Sequence, residues 1–343
     1  MLILGLSILA LIIIIMTLGF DFVNGFNDSA NSISTVVATK VLSPFRAVAM
    51  AAVFNFIGIF LWPNIAKTIG TGIVDKDLLW DHLLLILFCA VLSAIIWDLI
   101  TWWFGIPTSS SHALVGGLIG AGVAIAGLDA IVWSGTGKTI LFIVVSPVIG
   151  LIAAFLLTSL VMNVAKRKSR HQVNSWFRRL QIASAATLSL THGANDAQKG
   201  MGIIALVILI NAGNESASFD LPRWVMLACQ SAISIGTFFG GWRIVKTMAT
   251  RITKLDPSQG FCAETGAASV LFTTAALGIP VSTTHTISGA IMGVGATKRL
   301  SAVRWGVGRR IVIAWIVTIP ASATISGLLF LGLHAAGFGA LAN

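Results

Sequence analysis

Two aspartates that follow an asparagine carry the clearest chemistry in the sequence. Asp28 follows Asn27 and Asp196 follows Asn195, in a chain of which 56% is hydrophobic and only 10% is charged. At membrane depth an aspartate costs about 2.5–3.5 kcal/mol even on the lenient insertion scale, so each needs a functional reason. Carboxylate, amide and free carbonyl oxygens are the ligands of hard cations. We therefore predict a cation site at this pair.

Glycine flanks both aspartate motifs, as Gly25 in the first and Gly193 in the second. Glycine and asparagine together favour unwound backbone, which leaves carbonyl groups free to bind a cation. The alternative is that Asp28 and Asp196 cap a broken helix. Both interpretations predict a helix that is interrupted at each motif.

Runs of hydroxyl side chains follow a proline at two places, residues 108–111 after Pro107 and residues 282–284 after Pro280. Proline stops the incoming helix, and the hydroxyls then lie at the N-terminus of the next helix, where free N–H groups and the positive dipole end favour an anion. Two such ends that approach from opposite sides would enclose a small oxyanion. The alternative is simple capping of the two helices.

Other polar residues are accessory candidates. His112 and His285 follow the hydroxyls directly and are compatible with donation to an anion, a response to pH or a structural role. Lys199 is compatible with a positive charge beside the substrate or with an ion pair to an acid. The remaining candidates are His192, which like Lys199 has no equivalent in the first motif, and Asp98 and Glu264, which are compatible with partners, a further ion site or a proton relay.

The charges at the two aspartates predict coupled transport. Two ionised carboxylates roughly 6 Å apart repel by about 3 kcal/mol at an effective dielectric near 20. A phosphate or sulfate among them adds to the repulsion, so we expect the anion to bind only together with cations. Sodium ions at Asp28 and Asp196 meet this requirement directly. Protonation of the same carboxylates is the alternative, although it leaves the asparagine oxygens without a purpose.

Length and composition indicate that the whole chain is one integral membrane domain. Its 343 residues with 56% hydrophobic content supply about ten membrane helices of about 20 residues each. The net charge of +10 lies in short loops, so membrane topology explains it and no nucleic acid is expected. The first basic residue is Lys40, so residues 2–20 lack the basic start of a cleaved signal peptide and are expected to remain as a span.

The second half of the sequence repeats the first. Segment 105–112 returns as segment 278–285, 173 positions later, and segment 24–31 returns as segment 192–199 at an offset of 168. Two elements that recur in the same order indicate a tandem duplication.

Loop charges orient the two copies in opposite directions, because short cytoplasmic loops collect lysine and arginine. The basic loop near Lys40 corresponds to segment 211–223, which carries Glu215 and Asp220 against Arg223. The two later loops of the second copy are basic, whereas those of the first are acidic or neutral. Equivalent loops are therefore predicted to face opposite sides of the membrane.

The predicted fold is an all-α integral membrane protein with two inverted-topology repeats, interrupted or re-entrant helices and about 10–12 membrane segments. The repeats cover residues 1–164 and 180–343, and the basic linker 165–179 joins them on the cytoplasmic side, with both termini outside. Interruptions are expected because segment 285–297, and the part of 180–210 before the second motif, are too short to span alone.

Two other motifs and one other function are set aside. Residues 135–139 hint at a nucleotide-binding loop, but Val132 stands where its first glycine is required, so ATP is not expected. Residues 109–112 suggest an intramembrane hydrolase, the main alternative outside transport, but no Gly-x-Ser-x-Gly surrounds them. A passive anion channel has no use for paired cation sites.

The aspartate motifs resemble the duplicated Gly-Ala-Asn-Asp signature of the inorganic phosphate transporter (PiT) family. The resemblance rests on residues 25–31 and 193–197, includes both hydroxyl loops and covers essentially the whole chain. It implies uptake of inorganic phosphate coupled to sodium or protons through inverted repeats, commonly in a dimer. Phe26 departs from the usual alanine, and the short linker implies that regulation through a large central loop is absent.

The hydroxyl loops and the resemblance together predict the ligands and the function. Phosphate is expected to contact Asn27, Ser109, Ser110, Ser111, Asn195, Gln198, Ser282, Thr283 and Thr284, and sodium to contact Asn24, Asn27, Asp28, Asn195 and Asp196. We expect a sodium/phosphate symporter of the inner, cytoplasmic membrane that works by alternating access, with no cofactor besides the cotransported sodium. The alternatives are a proton-coupled permease for phosphate or metal-phosphate and a sulfate permease.

Overall fold

The computed structural model describes residues 6–61, 64–213 and 221–338. It is 84% helical, and no β-strand occurs within these ranges. The α-helices are α1 (Ile8–Ala38), α2 (Pro44–Ile57), α3 (Asn64–Thr71), α4 (Leu83–Phe104), α5 (Ser110–Ala126), α6 (Trp133–Ala165), α7 (Arg170–Asn211), α8 (Arg223–Phe239), α9 (Trp242–Thr250), α10 (Pro257–Ala276), α11 (Thr283–Lys298) and α12 (Trp305–Ala335). The all-α membrane fold is thus confirmed.

Helices α7–α12 repeat the order of helix lengths found in α1–α6. Each set has a long helix, two shorter ones, two helices that are separated by a hydroxyl loop, and a final long helix. The two sets interlock rather than lie side by side. Helix α5 packs on α12 and α11 packs on α6, while α1 packs on α8 and α2 on α7. Each set therefore buries its surface mainly against the other set.

Within the described residues, five helical segments are long and apolar enough to cross a membrane, namely Ile8–Ala38, Trp80–Phe104, Ser110–Ala130, Trp133–Ala165 and Trp305–Ala335. Helices α8 and α9 meet at a 66° bend and together give a sixth candidate. The other helices fail this test of length or composition. Among them, α7 and α10 carry buried polar residues that belong to the interior of the bundle.

Helices α7 and α10 both begin with a capping box. The Ser169 hydroxyl accepts from the backbone N–H of Gln172, and the Gln172 side chain accepts from the backbone N–H of Ser169. Asp256 and Gln259 form the same capping box at α10. Helix α7 therefore starts inside the predicted linker 165–179, most of which is helical.

The predicted interruptions at the two hydroxyl loops are confirmed. Helix α4 ends before Gly105, which has φ of 64°, and α10 ends shortly before Gly278, which has φ of 67°. This left-handed conformation suits glycine because it has no Cβ. Ser109 and Ser282 then cap α5 and α11, each accepting a hydrogen bond from the backbone N–H three residues later.

The prediction of unwound backbone at the aspartate motifs is wrong. Helix α1 is continuous through residues 24–31, and α7 runs unbroken for 42 residues through residues 192–199. The glycines serve close packing instead. A Cβ at Gly25 would lie 2.0 Å from the Ile233 carbonyl oxygen, and one at Gly193 would lie 2.2 Å from that of Asn55.

Glycines of the interrupted helices allow similar close contacts. A Cβ at Gly120 of α5 would lie 2.0 Å from the Ala323 carbonyl oxygen of α12, and one at Gly293 of α11 would lie 2.2 Å from that of Leu151 of α6. These equivalent contacts let the short helices lie against the longest spans, and so hold the hydroxyl loops inside the bundle.

Candidate functional site

The two aspartates meet where α1, α7 and the start of α11 converge. The Thr283 hydroxyl lies 3.5 Å from Asp28 Oδ2 and 3.3 Å from Asp196 Oδ2. Thr284 donates to Asp28 Oδ1 at 3.0 Å. All four side chains are buried. The structure thus brings together the acid pair and one of the two hydroxyl loops, as the sequence predicts.

His192 completes this cluster. Its Nε2 lies 3.3 Å from Asp196 Oδ2 and 3.9 Å from Asp28 Oδ2. One ligand atom from each of the three residues lies within 4.8 Å of the other two, which is compatible with one bound cation. The Nδ1 atom of His192 lies 3.2 Å from Asn55 Oδ1, a contact that sequence analysis missed.

Lys199 pairs with an acid. Its Nζ lies 3.0 Å from Asp196 Oδ1, and only 2% of the residue is exposed. Of the two roles considered for Lys199, this geometry corresponds to the ion pair. Asp196 therefore has two basic partners, Lys199 and His192, whereas Asp28 has mainly hydroxyl partners.

The asparagines of the two motifs have equivalent contacts. Asn27 Nδ2 donates to the backbone oxygen of Asp98 in α4 at 3.0 Å. Asn195 Nδ2 donates to the backbone oxygen of Leu271 in α10 at 3.4 Å. In both residues the buried Oδ1 has no hydrogen-bond partner among the described residues. These two amide oxygens are therefore free to act as ligands.

Asn31 belongs to the site although the sequence analysis gave it no role. Its Nδ2 donates to Thr283 Oγ1 at 3.2 Å and to Thr284 Oγ1 at 2.9 Å. The residue lies one turn after Asp28 on the same face of α1, so helical spacing from Asp28 is a signal that could have identified it.

Both polar groups of the Gln198 side chain form hydrogen bonds with backbone groups outside the acid pair. Its Oε1 accepts from the backbone N–H groups of Ile65 and Ala66 at 2.7 and 3.1 Å, at the start of α3. Its Nε2 donates to the Ala194 carbonyl. The predicted contact with phosphate would require these bonds to break.

The first hydroxyl loop approaches the second through two histidines. Ser109, Ser110 and Ser111 are buried at the start of α5. The ring of the next residue, His112, lies 4.7 Å from that of His285. His285 also stacks on Trp315 at 3.9 Å. The N-terminal ends of α5 and α11 thus meet inside the bundle, the arrangement expected for enclosing a small oxyanion.

Three other predicted residues lie outside the acid pair's hydrogen-bond network. Glu264 accepts from Thr35 Oγ1 at 2.6 Å, from Gln181 Nε2 at 3.0 Å and from Ser184. The amide of Asn24 is buried without a hydrogen-bond partner in the part of the chain that the structure describes, and the buried carboxylate of Asp98 faces the Ser110 hydroxyl.

The central cluster is closed to the surface in this conformation. Asp28 is 4% exposed, and His192 and Asp196 are fully buried. Access to these groups therefore requires a movement of the surrounding helices, as alternating access does.

The comparisons with known proteins agree with this geometry. Residues 24–326 match the family described as "Phosphate transporter family". The chain belongs to this family. The resemblance to phosphate transporters is thereby confirmed, and the protein is a multi-pass membrane transporter of phosphate, not an enzyme.

Two bacterial proteins named as phosphate transporters are similar over nearly the whole chain. A Rhizobium meliloti protein named "Probable low-affinity inorganic phosphate transporter" is 54% identical over 319 residues, covering 93% of this chain and 94% of its own. A Bacillus subtilis protein of the same name is 44% identical over 329 residues, covering 96% and 98%. A solved structure called "The sodium-dependent phosphate transporter" superposes with a TM-score of 0.87 at 26% identity, covering 96% of this chain and 100% of that one.

Proposed function

We propose that this phosphate transporter takes up inorganic phosphate by symport with sodium ions that bind at the central carboxylates. The observation that carries the proposal is the meeting of the two carboxylates at one hydroxyl, since Thr283 Oγ1 lies 3.5 Å from Asp28 Oδ2 and 3.3 Å from Asp196 Oδ2. The similar solved structure is named sodium-dependent, which supports the same cation.

The charge balance of the cluster supports cation coupling. Asp28 and Asp196 bring two negative charges, and Lys199 brings one positive charge at 3.0 Å from Asp196. Lys199 thus balances only one of the two carboxylates, and while His192 is neutral a phosphate anion meets repulsion unless cations enter with it. The free Oδ1 atoms of Asn27 and Asn195 supply neutral oxygen ligands of the kind that sodium prefers.

The phosphate itself would lie between the starts of α5 and α11. Ser110 and Ser111 on one side and Thr283 and Thr284 on the other offer hydroxyls, and both helix ends offer free N–H groups. Because Thr283 also contacts both aspartates, this position puts the anion next to the cations. If phosphate and the cations touch in this way, each stabilises the other, and neither phosphate nor the cations would bind well alone.

The remaining expectations belong to the same proposal. Residues 1–164 and 180–343 act as inverted repeats around the midplane, with the linker 165–179 cytoplasmic and both termini outside. The equivalent contacts of Asn27 and Asn195 support the repeat. The transporter lies in the cytoplasmic membrane and works as a dimer, in keeping with the PiT resemblance.

Proton coupling is the second candidate, and Lys199 is the observation that favours it. Its ammonium already occupies the carboxylate oxygen of Asp196 that a sodium ion would use. A proton on Asp28 would then complete the neutralisation without a metal ion.

Uptake of labelled phosphate into proteoliposomes tests the proposal. An inward sodium gradient and an inward proton gradient are imposed separately, with sulfate as the competitor. Accumulation driven by sodium and resistant to sulfate is the expected result. Accumulation driven only by protons would replace sodium by protons, and transport of sulfate in preference to phosphate would contradict the substrate.

A further inference from the structure

Asp21 is an acid that the proposed mechanism does not use. It lies on α1 seven residues before Asp28, hence on the same helix face and about 10 Å away along the axis. It is fully buried, and among the described residues its carboxylate has only the thiol of Cys229, a weak donor, as a hydrogen-bond partner. An ionised carboxylate at such a position is costly unless a cation reaches it.

The carboxylate of Asp21 rests against the backbone of α7. A Cβ added to Gly200 would lie 2.2 Å from Asp21 Oδ2, so the acid fills the space that the missing side chain leaves. The residue before Gly200 is Lys199. The other titratable side chain beside Asp21, the Cys229 thiol of α8, supplies no positive charge.

Lys199 is the cation that the chain itself provides at this point. Its ammonium now contacts Asp196, which lies three residues earlier on α7. The lysine side chain is a flexible four-carbon stem, and the backbone of its neighbour Gly200 touches Asp21. Rotation about that stem is the movement that would carry the ammonium from one buried acid to the other.

We propose that Lys199 is a tethered cation that moves from Asp196 to Asp21 when a transported cation binds at Asp196. Asp21 is then a positioning residue, because it receives the lysine and thereby frees the carboxylate. The inference rests on the proposed cation coupling at Asp28 and Asp196. It removes the conflict between that site and the existing ion pair, since Lys199 and the incoming ion do not have to share Asp196.

A double-mutant cycle tests this exchange. The variants are Asp21→Asn, Lys199→Met and the double variant, with Asp129→Asn, an exposed acid in the 3-10 turn after α5, as the matched control. The half-saturating cation concentration for phosphate uptake is measured for each, first with sodium and then with protons.

In Asp21→Asn the lysine has no second acceptor, so it stays on Asp196 and competes with the cation. We expect the half-saturating cation concentration to rise about tenfold, while the KM for phosphate at saturating cation stays within about twofold of the wild type. The double variant is expected to behave like Lys199→Met, because without the lysine there is nothing for Asp21 to receive. Asp129→Asn is expected to match the wild type.

Equal effects of Asp21→Asn with and without Lys199 would overturn the proposal. If a variant does not transport, the sodium dependence of its thermal unfolding midpoint in detergent gives the same comparison without transport. If uptake by the wild type responds to protons but not to sodium, that result contradicts the proposed sodium symport and leaves the exchange of Lys199 untouched. The exchange is then decided by the proton series, in which the same non-additivity is expected.

Discussion

His112 and His285 occupy equivalent positions in the two hydroxyl loops, and their rings lie 4.7 Å apart at an angle of 62°. The two copies of this motif therefore meet in the interior although 173 positions separate them in the sequence. The partners of the two aspartates are not equivalent. Asp28 contacts hydroxyls of α11, whereas Asp196 contacts Lys199 and His192.

Replacing Asp28 by Asn should abolish coupled uptake while the fold is retained. Asn is nearly isosteric and can still accept from Thr284, which donates to Asp28 Oδ1 at 3.0 Å. The lost charge weakens cation binding, so we expect the uptake rate at a limiting sodium concentration to fall at least about tenfold. The thermal unfolding midpoint of the purified protein should change little. Near-normal sodium-dependent uptake by this variant would contradict the cation site.

Replacing Asp196 by Asn should cost stability as well as uptake. The change removes the carboxylate that lies 3.0 Å from the buried ammonium of Lys199, and breaking a buried ion pair costs about 3–5 kcal/mol, less what the proposed move of Lys199 to Asp21 recovers. We expect a clearly lower unfolding midpoint than in Asp28→Asn, measured under the same detergent conditions. The variant Asp196→Asn with Lys199→Met removes both charges and should recover part of the loss. Equal midpoints for the two Asp variants would show that the ion pair has no net effect.

Thr283→Ala and Ser110→Ala should separate anion binding from cation binding. Thr283 lies within 3.5 Å of both aspartates, so its removal should raise the half-saturating concentrations of both phosphate and sodium. Ser110 is buried in the other loop, and its removal should raise only that of phosphate, by roughly the tenfold that about 1.4 kcal/mol represents. Phosphate titrations at saturating sodium, and the reverse, measure this. Unchanged phosphate affinity in both variants would remove the loops from the site.

Local signals explain why part of the fold and site could be predicted from the sequence. The breaks at Gly105 and Gly278 follow from proline and glycine within a few residues, and the acid pair follows from its duplication. The Lys199–Asp196 pair also has a local signal, since residues three apart share a helix face.

Long-range contacts explain what the sequence could not predict. Whether Gly25 unwinds α1 or packs closely depends on the Ile233 carbonyl, which lies more than 200 positions away. The contact of His192 with Asn55 likewise joins residues 137 positions apart. No pattern near either residue specifies its partner. The continuity of α1 at Gly25 and the contact of His192 with Asn55 could therefore be learned only from the structure.

Glu264→Gln should destabilise the protein without a change in side-chain size. The carboxylate of Glu264 is fully buried and accepts from Thr35, Gln181 and Ser184. An amide turns one acceptor into a donor, so the Ser184 hydroxyl has to accept from it and donate only to the Gln181 carbonyl. The remaining hydrogen bonds lose their charged acceptor, which costs about 1 kcal/mol. The thermal unfolding midpoint should fall, whereas Asp129→Asn on the surface should leave it unchanged. An unaltered midpoint would mean that Glu264 is protonated and already donates one of these bonds.

Alanine at Gly25 or Gly193 should destabilise the crossing of the helices that carry the aspartates. The new Cβ atoms would lie 2.0 Å from the Ile233 carbonyl oxygen and 2.2 Å from that of Asn55, so the helices must move apart. Overpacking of this kind costs typically about 1–3 kcal/mol, and the shift also displaces Asp28 or Asp196. Gly19→Ala is the matched control on α1, because a Cβ there meets nothing within 4 Å. We expect lower unfolding midpoints and slower phosphate uptake for the first two variants. The control should show wild-type uptake and a midpoint at or slightly above that of the wild type, because alanine favours the helix over glycine. If all three variants behaved alike, close packing at the aspartate motifs would not be what positions the site.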